Sequence, residues 1–138
     1  MKELILILLI NGVSQAILAQ SKVEVVVDGI RDTVGTIHVA LFKEPGTFLK
    51  KPLAGKSVKA KKGAAIVVFE GVNPGTYAIS IIHDANRNGK LDANLFGIPK
   101  EGFGFSNNAM GKFGPPSFEK ASIKIPATST LRITLKYL

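Results

Sequence analysis

The stretch LRITLKY at residues 131–137 decides the fold class, because apolar and polar residues alternate in it without a break. A period of two places one set of side chains on a core and the other in water, as in a half-buried β-strand. The pattern predicts that Arg132, Thr134 and Lys136 face outward. The predicted inward set is Leu131, Ile133, Leu135 and Tyr137.

Six further segments repeat this alternation, some of them weakly, and Gly- and Pro-containing turns such as Asn73-Pro74-Gly75 separate them. No segment carries an apolar stripe at helical spacing. We therefore predict an all-β fold: one seven-stranded β-sandwich, Ig-like or transthyretin-like (prealbumin-like), with one long ordered loop. The six segments are 23–28, 36–42, a Lys-rich segment around Val58, 64–70, 77–82 and 121–125.

The first 19 residues predict an export signal. Lys2 and Glu3 precede the apolar run LILILLI at residues 4–10, and a looser stretch ends at the small residue Ala19. The run is far shorter than the roughly 20 residues that span a bilayer, so no transmembrane span is predicted. We expect a signal peptide at 1–19, a β-sandwich domain at 20–138 and a periplasmic or extracellular location.

The amino-acid composition excludes several kinds of functional site. The 138 residues contain no Cys, which excludes disulfides, thiolate nucleophiles, Cys-ligated metals and lipid attachment of the lipoprotein type. The formal net charge is +8. The predicted signal peptide holds one Lys and one Glu, so its removal leaves this charge unchanged.

Residues 84–118 interrupt the strand rhythm and show no strand or helix pattern. Five of the eight Phe lie in this stretch, whereas a disordered tract is poor in aromatic residues. We predict an ordered loop that packs its own aromatic side chains over one end or edge of the sandwich. The five are Phe96, Phe103, Phe105, Phe113 and Phe118.

The start of the loop, DANRNGKLD at residues 84–92, matches the front of the calcium-loop pattern D-x-[DN]-x-[DN]-G. Oxygens at alternate positions converge on a hard cation there, while Gly89 makes the turn. Calcium is the one cofactor that the sequence suggests. The candidate ligands are Asp84, Asn86, Asn88, the Lys90 carbonyl and Asp92.

The match is incomplete, because Leu95 stands where the pattern requires a bidentate Glu. Glu101 or Asn94 is positioned to supply an oxygen only if the loop folds back. A site of this kind predicts affinity in the weak range of roughly 10⁻⁴–10⁻³ M. The alternative is a polar turn in which Asp and Asn side chains bond their own backbone.

Few residues of the sequence support a catalytic function. His83, Asp84 and Glu101 are the residues of a hydrolase hypothesis, and Ser106 is not in a nucleophile motif such as G-x-S-x-G. His83 shares the inward parity of its strand, which predicts a histidine at the core edge donating to a carbonyl or to the loop. We therefore predict a non-catalytic protein.

Five segments of the sequence carry a family resemblance. They are GTIHVALF (35–42), FEGVNPGTYA (69–78), HDANRNGKLD (83–92), FGIPKEGFGFSNN (96–108) and GPPSFEKA (114–121). Together they resemble the bacterial domain-of-unknown-function family numbered 2141, which implies a secreted or periplasmic protein without an established activity. The stretch at 72–77 is also similar to strands of transthyretin-like and carboxypeptidase regulatory-like sandwiches, modules that commonly accompany other proteins rather than catalyse.

Residues 43–62 carry seven Lys and one Glu, a net +6 of the total +8. Phe48 is the only aromatic residue among them, and nucleic acid is a poor candidate partner for an exported protein whose basic patch lacks interleaved aromatic residues, so we predict no nucleic-acid partner. One hypothesis is an envelope interaction protein that binds an anionic glycan, a lipid surface or a protein partner through this patch. The other is a lysine-protected edge strand.

Overall fold

The structure is a computed structural model that describes residues 21–126 and 128–138, with Ser21 described by its backbone only. The strand Gly75–Asp84 lies at its centre. The predicted signal peptide at 1–19 lies outside the described residues. Within them, no helix has the length and apolar character needed to cross a membrane.

Eight strands form two sheets in the described part of the chain. One short helix, α1 (Phe118–Ala121), and two 3₁₀ turns connect them. The strands are β1 (Ser21–Ile30), β2 (Thr36–Phe42), β3 (Ala54–Lys59), β4 (Gly63–Val72), β5 (Gly75–Asp84), β6 (Gly102–Phe105), β7 (Ile123–Ile125) and β8 (Thr128–Thr134). The all-β prediction is confirmed, with eight strands where seven were expected.

The smaller sheet has the order β4-β1-β8, with β1 antiparallel to β4 and parallel to β8. Its inner face is set by alternation, as predicted: Ile133 and Leu135 are buried, whereas Arg132 and Thr134 are exposed. These inward side chains pack against the larger sheet and form the main core.

The larger sheet has the order β3-β2-β5-β6, and β7 pairs with the first residues of β5. Strand β5 is buried on both faces. Its residues Tyr77, Ile79 and Ile81 point into the main core, whereas Ala78 packs into a second apolar cluster on the outer face. Burial on both faces explains the nearly continuous apolar sequence of β5.

The second cluster consists of aromatic and small side chains between the outer face and the long loop. Phe48 joins its rings, with centroid distances of 5.3 Å to Phe42 and 5.7 Å to Phe118, both edge to face. The predicted packing of loop aromatics is therefore confirmed for part of the set. The buried members are Phe42, Ala78, Phe103, Phe105, Phe118 and Ala121.

Two expectations about the loop are wrong. The stretch 84–118 contains strand β6, and Phe96 and Phe113 are exposed. The pattern G-F-G-F conceals a strand because glycine occupies its inner face. A Cβ on Gly102 lies 2.5 Å from the Tyr137 ring, so that face has no room for a side chain.

The structure also tests the predictions for two smaller segments, β3 and the segment at 121–125. Strand β3 lies at the edge of the larger sheet, which confirms the edge position that the lysine-rich sequence suggested. Ala121, expected in a strand, ends helix α1 instead. Ser117 caps that helix by accepting the Lys120 N–H, which turns the chain before β7 begins.

Candidate functional site

The long loop begins with a tight turn closed by Asp84, the last residue of β5. Its side chain is fully buried, and its two oxygens accept the backbone N–H groups of Asn88 at 3.1 Å and Gly89 at 2.7 Å. Arg87 and Gly89 adopt positive φ angles of 58° and 76°. Glycine takes this conformation without steric cost, which explains its place in the turn.

The predicted calcium ligands meet in this turn through hydrogen bonds. The Asn86 amide donates to Asp92 at 2.6 Å, and the Asn88 amide donates to the same carboxylate at 2.9 Å. The Asn86 and Asn88 oxygens accept backbone N–H groups, one of them from Lys90. The structure therefore brings together Asp84, Asn86, Asn88 and Asp92. Among the described residues, no group of three or more acidic or His side chains is placed to hold a metal.

Neither of the residues proposed to complete the calcium site points into it. Glu101 is buried, and its two carboxylate oxygens accept the N–H groups of Ala85 and Asp92 at 3.2 and 3.1 Å. The Asn94 oxygen accepts two N–H groups of the turn at 96–98. Glu101 thus links the two ends of the polar turn by accepting one hydrogen bond from each.

Both aspartates of the turn are held ionised. Burial raises the pKa of Asp84, but hydrogen bonds from His38, Gly89 and Asn88 outweigh it, so the pKa falls below its ordinary 3.8. Hydrogen bonds from the two Asn side chains lower the pKa of Asp92 in the same way. The turn therefore keeps two negative charges at neutral pH.

The residues of the hydrolase hypothesis have separate partners. His83 is 2% exposed, with Nδ1 at 2.7 Å from the Tyr137 hydroxyl and Nε2 at 2.6 Å from the Val34 carbonyl. The contact with a carbonyl confirms the prediction of a core-edge histidine. Within the described chain, no hydrogen bond joins the side chains of His83, Asp84 and Glu101.

A different histidine contacts Asp84. The Nε2 atom of His38 donates to Asp84 at 2.9 Å, and Nδ1 lies 2.7 Å from the Ser57 hydroxyl. In the neutral ring, since a carboxylate only accepts, the proton lies on Nε2 and Nδ1 accepts from Ser57. The chain of bonds crosses β3, β2 and β5 and connects the sheet edge to the loop turn.

Ser106, which directly follows β6, anchors the loop to the larger sheet. It is buried, and its hydroxyl accepts the Ile79 N–H at 2.9 Å and donates to the Ala121 carbonyl. Next to it, the Asn107 amide donates to the Ser122 carbonyl at 2.8 Å. These bonds hold helix α1 against β5, and they give Ser106 a structural role.

The loop between β5 and helix α1 arches over the outer face of the larger sheet and borders a partly open cleft of about 880 Å³. The floor is apolar. Ala40 on β2 and Ile82 on β5 contribute to it, next to the rings of Phe103 and Phe105 on β6. Ligand pockets of proteins have this character and span roughly 300–1,000 Å³.

The rim of the cleft carries apolar side chains that face water. Residues 92–100 form a narrow hairpin, in which Asn94 closes the turn and Gly97 has φ 76°. At its tip Leu95 is 102% and Phe96 88% exposed, and Phe113, on a separate turn, is 101% exposed. Phe96 and Phe113 both line the cleft.

A family model described as "Uncharacterized protein conserved in bacteria (DUF2141)" matches residues 25–134. The chain belongs to this family. The match confirms the family resemblance inferred from the sequence motifs. No curated protein and no solved structure matches the chain significantly.

The region shared with DUF2141 includes the whole cleft floor, the polar turn and the hairpin at 92–100. Sequence reasoning missed the cleft itself. One signal was present, since Ala78, Ser80 and Ile82 are small or apolar on the second face of β5. Such a face requires a cover, although the sequence does not say which loop provides it.

Proposed function

We propose that this DUF2141 protein is an exported, non-catalytic binding module whose ligand site is the cleft between the larger sheet and the loop. The observation that carries the proposal is an apolar floor joined to a rim of exposed aromatic rings. Contiguous apolar surface on a soluble protein often marks a binding site when it forms a groove with a polar or charged margin. A ligand with an apolar part covers both the floor and the rim.

The architecture suits this role. The loop is anchored at Asp84 and at Ser106. Phe96 lies at a tip between these two points, and Phe113 lies on the turn between Ser106 and helix α1. A rigid sheet with projecting loop tips is a common design for binding sites. We place the sandwich in the broad Ig-like or transthyretin-like class, which commonly serves recognition.

Export is the second part of the proposal. It is supported by the charged start, the apolar run at 4–10 and the small residue Ala19. A periplasmic or extracellular location follows. Detection of the processed chain in a periplasmic or culture fraction tests it, and an unprocessed cytoplasmic chain contradicts it.

A fluorescent titration tests the ligand site. The neutral probe N-phenyl-1-naphthylamine should gain fluorescence with protein purified after expression of the full chain. Ala40→Phe fills the cleft floor and should abolish the gain. Ala64→Phe makes the same change at an exposed position of β4, outside the cleft lining, and should retain it. Equal binding by both variants, or none by the unmodified protein, contradicts the proposal.

Weak calcium binding at the polar turn is a second candidate function. It is favoured by the convergence of Asn86, Asn88 and Asp92 within hydrogen-bond distance beside the buried Asp84. Rotation of the two amides turns their oxygens toward Asp92 and creates a pocket of oxygen ligands. Arg87 and Lys90 lie in the same turn and offset its two carboxylates, which keeps the affinity low.

A thermal-shift series tests calcium. With a dissociation constant near 1 mM, 10 mM calcium should raise the melting temperature by about 5 °C. Asp92→Asn should remove this gain, and Asp32→Asn, at an exposed carboxylate outside the turn, should keep it. An unchanged melting temperature at 10 mM calcium excludes the site.

A further inference from the structure

Two of the described residues that line the cleft have charged side chains, Lys50 and Lys112, and both are exposed near the apolar rim. In the described part of the chain, neither lysine forms an ion pair with a carboxylate. The cleft therefore offers two free ammonium groups beside an apolar interior.

This distribution restricts the chemistry of the ligand. A charge cannot enter the apolar floor without losing its hydration, so a charged group of the ligand remains at the mouth. Lysine favours this arrangement, because its carbon stem lies along apolar surface while its ammonium group stays in water. An anion at the mouth gains from both lysines, and a cation is repelled by them.

We infer that the ligand is an anionic amphiphile, whose hydrocarbon part lies on the floor formed by Ala40, Ile82 and Phe103 and whose acidic head lies beside Lys50 and Lys112. The inference rests on the proposed function and adds the class of ligand to it. A single long-chain acid and the acidic lipids of a membrane present the same chemistry. The loop covers part of the floor, which favours the single molecule.

Competition among three ligands of equal chain length tests the class of ligand. Decanoate, decanol and decyltrimethylammonium, each kept below its micelle concentration at pH 7.4, should displace N-phenyl-1-naphthylamine in that order of affinity. Exposed charge pairs are individually weak, so decanoate should exceed decanol by about three- to tenfold. Raising the salt concentration should reduce this preference.

A matched pair of double variants assigns the preference to the two lysines. Lys50→Gln with Lys112→Gln should bring decanoate to the affinity of decanol and leave decanol unchanged. Lys59→Gln with Lys61→Gln removes the same charge from residues outside the cleft lining and should keep the preference. The cleft variants replace exposed side chains, so they are expected to fold.

Each remaining outcome decides a separate claim. If decanol and decanoate bind equally to the unmodified protein, the inference fails and the proposed function stands. If the probe binds and none of the three displaces it, the inference fails, and the comparison of Ala40→Phe with Ala64→Phe still decides the proposed function. If vesicles containing acidic lipid bind but monomeric decanoate does not, the ligand is a membrane surface, and the inference of an enclosed amphiphile is overturned.

Discussion

Asp84 shows at the scale of a single residue how the fold and the loop are joined. Its carboxylate is buried and accepts from His38, Asn88 and Gly89. Asp84→Asn removes the charge from these bonds and should lower the free energy of unfolding at pH 7 by about 2 kcal/mol. Urea unfolding measures this, with the exposed Glu70→Gln as a control near zero.

The same variant has a predicted pH dependence. The pKa of Asp84 is lower in the folded protein than its ordinary 3.8, so its stabilising effect is complete above that value and is lost as the pH falls through the folded pKa. The stability difference between Asp84→Asn and the unmodified protein should therefore shrink below pH 4. A difference that stays constant from pH 7 to pH 3 contradicts the assignment.

Gly102 tests the packing that made β6 hard to recognise. A Cβ at this position lies 2.5 Å from the Tyr137 ring, and the Tyr137 hydroxyl is held by His83 and the Arg31 N–H. Gly102→Ala should cost about 1–3 kcal/mol in urea unfolding. Gly46→Ala, where nothing lies within 4 Å, should unfold like the unmodified protein. Equal loss in both variants is the result that excludes the packing argument.

Single residues differ in how far the sequence predicts them. His83 could be placed at the core edge because its parity within β5 is independent of other strands. Glu101 could not be placed, because its contacts with Ala85 and Asp92 depend on the pairing of β6 with β5. The calcium-loop pattern identified side chains that lie within hydrogen-bond distance of one another, whereas calcium binding remains a prediction.

Among the elements, the loop depends on its aromatic anchors. Phe118 is buried and stacks edge to face on Phe48, whereas Phe113 is fully exposed. Phe118→Ala should destabilise the protein by about 3–5 kcal/mol. Phe113→Ala should change stability by less than about 0.5 kcal/mol, although it removes part of the cleft rim. Similar unfolding midpoints for the two variants contradict this division between anchor and rim.

Strands with apolar and polar residues in alternation were predictable as elements. Strands β1, β2, β4 and β5 appear where the alternation predicts them, because the alternation is a local pattern. Strand β8 covers the predicted run only at 131–134, and Lys136 beyond its end forms an isolated bridge with Phe103. Strand β6 is short, and glycine replaces its inner residues. Its existence follows from the close approach of β8, a tertiary contact that a local pattern does not contain.

For the molecule as a whole, the lysine excess lies largely in residues 43–62, which include one edge strand. Strand β3 is that edge, and Lys56 and Lys59 are exposed on it. If their role is edge protection, Lys56→Thr with Lys59→Thr should promote self-association, seen by light scattering, with little change in unfolding. Salt-sensitive binding to anionic vesicles that Lys59→Glu, Lys61→Glu and Lys62→Glu together abolish would instead support a binding patch.

The central claim is that the ligand site lies in the cleft on the outer face of the larger sheet and not on the outer face of the smaller sheet. Methyl resonances report on both faces in one experiment. Ile82 lies on the cleft floor, whereas Ile66 is exposed on β4, outside the cleft lining. In an NMR titration of Ile-labelled protein with decanol, the Ile82 methyl signal should shift and saturate while the Ile66 signal stays in place. An unmoved Ile82 signal, or equal shifts at both positions, would contradict a ligand site in the cleft.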